Sequence, residues 1–259
     1  CGSDVVIKFT KSRKRFYGCG NYPRCKWSSW TIMNVKTEIT NEGIKIYASK
    51  NNYPKPFELT VPSDISSAAF FIVLGLLTKN SELIIRNVSL NETRTGVINI
   101  LQQMGGKIEI ENEREEKGEK VGDIRVHSSK LKNILIPKTI IPNIIDEIPI
   151  LSVVGIFAEG NFRINNAKEL RVKESDRIKS LCNNFKKAGL TVDEYEDGFE
   201  LSGNISNSET LFESYGDHRI AMAFGVLSML MKNGGSVNDF ECIGISNPQF
   251  VAQIKNLCS

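Results

Sequence analysis

With 259 residues, 41% of them hydrophobic and 24% charged, the chain has enough apolar material for one large domain or two smaller ones. The net charge of +3 is small but uneven: residues 1–26 carry seven cations against Asp4 alone, +6 in all, leaving the remainder at −3. A basic head on a mildly acidic body suggests two parts with different partners. No apolar run reaches the roughly 20 residues that span a bilayer. Charge and glycine interrupt the start, so it does not read as a secretory leader, and six cysteines are then expected in a reducing cytoplasm. Cys182, Cys242 and Cys258 have no ligand-like spacing and read as buried or free thiols. The Asn-X-Ser/Thr triplets at Asn87, Asn91 and Asn204 are chance matches in that setting.

In chain order, residues 1–30 form the basic head, rich in aromatics and cysteine. Residues 35–61 read as strands: Val35, Thr37 and Ile39, then Ile44 and Ile46 across an Asn41-Glu42-Gly43 turn, then Phe57, Leu59 and Val61. From Pro62 a repeat begins. An apolar helix over 66–77, a strand over 82–86, an amphipathic helix over 95–104 and a strand over 107–111 are predicted. The order returns with an apolar helix over 148–158, a strand over 162–164, an amphipathic helix over 175–188 and a strand over 190–194. In that second amphipathic helix Ile178, Leu181, Phe185 and Ala188 share one stripe, and Gly189 ends it. A third round has an apolar helix over 218–231, Gly234-Gly235, a short strand and a helix over 248–257. The unit of about 70 to 80 residues is longer than a solenoid repeat. Helices apolar on all sides are buried, so the expected architecture is α/β with three central helices. An acid stands beside the start of each: Asp64, Asp146 and Asp217. Capping is the simplest role for all three. If the helices run parallel, their N-termini make one face attractive to anions.

Two charged clusters lie in this region. Arg171-Val-Lys-Glu-Ser-Asp-Arg177 puts Lys173, Glu174 and Arg177 within one turn of a predicted helix, and Gly216-Asp-His-Arg219 opens another. Arginine forks suit carboxylate and phosphate, and a carboxylate among cations can move protons on a bound ligand. The competing reading is a solvated, salt-bridged helix turn. For His218 alone, a surface group at a helix start is the stronger reading.

These segments, with Asp64-Ile-Ser-Ser-Ala-Ala-Phe-Phe71, Arg94-Thr-Gly96 and Asp146-Glu-Ile-Pro149, resemble the C-terminal half of the 5-enolpyruvylshikimate-3-phosphate synthase family, over residues 33 to 259. The resemblance implies βαβαββ repeats around buried helices, and enolpyruvyl transfer from phosphoenolpyruvate to the 5-hydroxyl of shikimate 3-phosphate without a cofactor. It implies that Asp146 holds ring hydroxyls and accepts the attacking hydroxyl's proton. Lys173 would contact shikimate 3-phosphate, and Glu174 would exchange the methylene proton. Arg177 and Arg219 would clamp the phosphoenolpyruvate carboxylate beside His218. These cations are then expected on one open face near the start of the His218 helix, bordered by Asp146 and Glu174. The match departs at Ile245, where many members carry a phosphate-holding lysine, and at Ser63, where glycine is usual. Ser246-Asn247-Pro248 approximates a Ser-aromatic-Pro segment without its aromatic. The family's N-terminal half, and with it half the cleft, has no counterpart here.

Residues 1–30 resemble the zinc ribbon of bacterial type IA DNA topoisomerases, through Cys1-Gly-Ser-Asp-Val-Val-Ile7, Phe16-Tyr-Gly-Cys19 and Asn21-Tyr-Pro-Arg-Cys25-Lys26. Cys1, Cys19 and Cys25 give three of the four thiolates a structural zinc takes; three can bind weakly with water or a borrowed ligand, so zinc is possible but not favoured. Tyr17, Tyr22, Trp27 and Trp30 among the cations suit stacking on single-stranded nucleic acid; a disordered basic tail is the competing reading. The expected division is 1–30, 31–61 and 62–259. The alternative functions are a nucleic-acid-binding module and the related transferase acting on UDP-N-acetylglucosamine.

Overall fold

Ile65–Leu77, Ile148–Phe157 and His218–Leu230 have almost no polar side chain to turn toward water, and each is buried nearly all round. In the computed structural model, residues 60–257 are described except 117 and 207; before residue 60, five strand segments are described. The chain divides into two units, 1–60 and 61–259.

In the first unit, β1 (Val5–Phe9), β2 (Arg15–Cys19) and β3 (Ser28–Ser29) form an antiparallel sheet in that order. β4 (Lys36–Thr40) and β5 (Gly43–Tyr47) form a hairpin across the expected turn, Thr40 opposite Gly43. Cys1 and Cys25 of the expected zinc set lie outside the described residues, as do positions 57–59 of the third expected strand.

In the second unit the helices are α1 (Ile65–Leu77), α2 (Gly96–Gln103), α3 (Ile141–Ile144), α4 (Ile148–Phe157), α5 (Arg177–Lys187), α6 (His218–Leu230) and α7 (Phe250–Leu257). α1, α4 and α6 pack on one another at the centre. Around them lie β6 (Glu82–Ser89), β7 (Lys107–Glu116) and β8 (Glu119–His127), in the antiparallel order β6-β8-β7. β9 (Phe162–Ile164), β10 (Thr191–Tyr195) and β11 (Gly198–Ser202) follow, in the antiparallel order β10-β11-β9. β12 (Thr210–Glu213) and β13 (Gly235–Asn238) are parallel and joined through α6. The first two repeats therefore each close with a hairpin, β7–β8 and β10–β11. Phenylalanines fasten the outer helices to the inner ones: Phe185 of α5 and Phe212 of β12 lie 5.0 and 4.8 Å from Phe224 of α6, and Phe250 of α7 lies 5.5 Å from Phe71 of α1.

One close approach fixes α4 against β9. A methyl group on Gly155 would stand 2.2 Å from the Phe162 ring, and Phe162 is itself 2% exposed. Gly155→Ala is expected to lower stability by about 1–3 kcal/mol through overpacking, seen as a lower denaturation midpoint. An unchanged midpoint would mean that helix and strand can separate freely.

Among the described residues no single helix is long and apolar enough to cross a membrane.

Candidate active site

The starts of α4, α5 and α6 meet at one place. A tight turn with positive φ at Tyr215 and Gly216 delivers Asp217 to the start of α6. There its carboxylate accepts from the Arg219 backbone N–H at 3.0 Å, the capping role expected of it. Asp217 is fully buried, so it needs a counter-ion. Arg177 provides one, its Nε 2.8 Å from Asp217 Oδ2, while Ser175 Oγ donates to the same oxygen at 3.1 Å. Burial pushes the Asp217 carboxyl up, but the bonds and charge of Arg177, with the other donors, outweigh it and hold it below its ordinary 3.8.

Arg177 is also wholly buried. Its Nη2 reaches Glu174 at 2.5 Å and its Nη1 reaches Asp146 at 3.4 Å. This excludes the solvated helix turn and amends the open cationic face: Arg177 lies beneath it. The helix itself begins at Arg177, capped by Asp176, which accepts from the Lys179 N–H at 3.0 Å. Lys173 and Glu174 therefore stand before the helix, after a short 3-10 turn over Lys168–Val172. Arg171 steadies the link with a 2.9 Å bond to Asp176.

Asp146 is where these groups converge. Lys173 Nζ lies 3.7 Å from its carboxylate, Arg177 Nη1 3.4 Å and Arg219 Nη2 3.6 Å. Arg219 Nη1 also donates to the Asp146 carbonyl at 3.2 Å. Lys173 and Arg219 keep 10% and 14% of their side chains exposed, and Glu174 keeps 50%. The reachable rim is thus Lys173, Arg219, Asp146 and Glu174. His218 is nearly buried, and burial together with the Arg219 charge holds its ring below the ordinary 6.5. It is neutral at pH 7, and one ring nitrogen can accept.

Three neighbours lie in segments quoted for the resemblance but were given no role there. Glu147, 1% exposed, accepts from Ser66 Oγ. Ser66 Oγ in turn accepts from Arg94 Nη2 at 2.5 Å. Arg94 also lies 3.7 Å from Asp64. Of the three acids expected to cap inner helices, Asp64 and Asp217 do so, whereas Asp146 does not. Glu147 holds the cap position of α4 but makes no side-chain cap bond, because its carboxylate faces Ser66 and the arginines. The available signal was the second of two adjacent acids before a wholly apolar helix with proline in its first turn.

Among the described residues no cluster of His, Cys, Asp or Glu could hold a metal ion. Burial pushes the Cys182 thiol to about 12 and raises that of Cys242, so neither is an activated nucleophile.

Residues 31–254 match the family model of EPSP synthase (3-phosphoshikimate 1-carboxyvinyltransferase). The chain belongs to the EPSP synthase family. A 3-phosphoshikimate 1-carboxyvinyltransferase of Leptospira interrogans is 48% identical over 204 residues, covering 74% of this chain and 46% of that protein. One from Caldicellulosiruptor saccharolyticus is 47% identical over 218 residues, covering 84% and 50%. The chain thus spans about half the length of the curated relatives it matches. The EPSP synthase structure from Acinetobacter baumannii superposes with a TM-score of 0.78 at 35% identity, over 86% of this chain and 52% of that one. The enolpyruvyl transferase NikO from Streptomyces tendae shares the fold, with a TM-score of 0.59 at 14% identity. Residues 1–33 match the topoisomerase DNA-binding C4 zinc finger model.

Proposed function

We propose that residues 61–259 supply one wall of an active site that transfers the enolpyruvyl group of phosphoenolpyruvate to the 5-hydroxyl of shikimate 3-phosphate. The observation that carries this reading is the convergence of Lys173 and Arg177, from one segment, and Arg219, from another, on the Asp146 carboxylate within 3.7 Å. Addition of an alcohol to an enol phosphate places new charge beside an existing carboxylate and phosphate. Cations fixed before the reaction stabilise that charge without reorganising. Lys173 and Arg219 lie on the rim and meet the anions. Arg177, tied to Asp217, orients Asp146 and Glu174 from beneath. In this scheme Asp146 takes the hydroxyl proton and Glu174 moves the proton at the methylene carbon. The scheme uses no cofactor.

The test reconstitutes the site from this chain and a second polypeptide carrying the part of its relatives that it does not span. Phosphate release is then followed. Glu174→Gln is expected to lower kcat by about 10²–10⁴-fold with KM little changed, as loss of a proton-transfer group does. Undiminished turnover in that variant would remove Glu174 from the chemistry.

A second reading concerns residues 1–33, through their match to a DNA-binding zinc finger. We propose that this segment contacts single-stranded nucleic acid. A gel shift that weakens steeply with salt supports it; no shift at low salt refutes it.

A further inference from the structure

Beside Asp146 lies a second polar junction that the scheme above leaves without a task. Glu147 is 1% exposed at the start of α4, and three groups from other segments reach its Oε1. Ser66 of α1 donates to it, Arg94 Nη2 lies 4.0 Å away, and Arg219 Nη1 of α6 lies 3.9 Å away. The other charged or titratable groups around it are Asp64, paired with Arg94, the adjoining Asp146, and His218 next to Arg219. The Arg94 side chain is 23% exposed and that of Arg219 14%, so both side chains border solvent while the Glu147 carboxylate does not.

We propose that Glu147 is a positioning residue that holds Arg94 and Arg219 at this face, and that an anion bound by the two arginines makes Glu147 take up a proton. The proposal rests on the reading above only for the place where the anion binds. A buried carboxylate stays ionised when enough positive charge surrounds it. Burial already pushes Glu147 up, against the pull of Ser66, Arg219 and Arg94. An anion that draws off the field of both arginines leaves burial to dominate, and a proton from the solvent then adds to the carboxylate. Neutral Glu147 no longer competes for the guanidinia, so anion binding strengthens as pH falls through this window.

The experiment uses the full chain and sulfate, whose charge is constant across the range. Calorimetry in two buffers of different ionisation enthalpy should report uptake of up to about one proton per bound sulfate. Affinity should fall by at most about tenfold per pH unit as pH rises. Glu147→Gln should abolish both effects while sulfate still binds. Were His218, beside Arg219, the group that takes up the proton instead, both effects would persist in that variant, so it separates the two. Carbon-13 titration of the Glu147 carboxyl in the unmodified chain, with and without sulfate, gives the same answer should that variant fold poorly. An upward displacement is expected. The proposal is overturned by a carboxyl titration that sulfate does not move, by proton uptake that persists in Glu147→Gln, or by sulfate affinity unchanged in Arg94→Ala with Arg219→Ala. Absence of sulfate binding overturns it too. Failed turnover in the reconstitution, with this titration intact, would count against the substrate assignment alone.

Discussion

Arg177→Ala is expected to destabilise the 61–259 unit by about 3–5 kcal/mol, the range for stripping one partner from a buried ion pair. Asp217 is fully buried, and Arg177 is the cation beside its carboxylate. Removing the guanidinium leaves that charge uncompensated and also frees Asp146 and Glu174 of a shared donor. Denaturant unfolding would show a lower midpoint at unchanged slope. Arg177→Lys should recover only part of the loss, because one ammonium cannot serve three carboxylates in a planar fork. A loss below about 1 kcal/mol, the size of an exposed pair, would show that the cluster is solvated. The acid side adds a signature. Asp217 has a folded pKa below its ordinary 3.8, so its contribution is full above that value and is lost as pH falls through the lower, folded one. In Arg177→Ala that acid-side loss should shrink, since burial acts on Asp217 in the opposite sense and only Ser175 and the Arg219 backbone N–H remain to oppose it.

Assayed alone, the 259-residue chain is expected to release phosphate from phosphoenolpyruvate and shikimate 3-phosphate no faster than the enzyme-free control. Rate acceleration comes from contacts that tighten in the transition state. In the proposed scheme Lys173, Arg219, Asp146 and Glu174 supply these from one side only, in a chain spanning about half the length of its relatives. Turnover by the chain alone at the rate of the reconstituted mixture would show that one wall is sufficient.

Much of this architecture was legible in the sequence. α1, α4 and α6 announce themselves because residues such as Phe70, Ile150 and Phe224 leave no polar side. α5 reads equally well from its stripe of Ile178, Leu181 and Phe185. β8, β11 and β12 were missed, and for β8 the reason is physical. β8 carries Gly122 and Asp123 in the middle of its run, and neither favours a strand. Asp123 is held there by the Asn87 backbone and Asn112, bonds made across the sheet. The charged cluster was visible because motif spacing keeps Lys173, Glu174 and Arg177 together. Burial was not. Beyond the adjacent acid pair before a proline-starting apolar helix, little local marks Glu147 apart from a capping acid such as Asp64, because its environment is assembled from α1, α6 and the turn before α2. Nor does Arg177 look different from Lys173 until Asp217, forty residues on, packs against it.

Asp217 has two tasks, closing the first turn of α6 and neutralising Arg177. Secondary structure and site therefore cannot come apart separately. Fraying of α6 at its first turn sets a guanidinium loose in the interior, and loss of that guanidinium leaves the first turn of α6 with a cap it can no longer afford to bury. The face around Asp146 should thus behave as a sentinel of the whole unit. Its backbone amides near Arg219 should exchange with solvent only through global opening, at the same slow pace as the central helices.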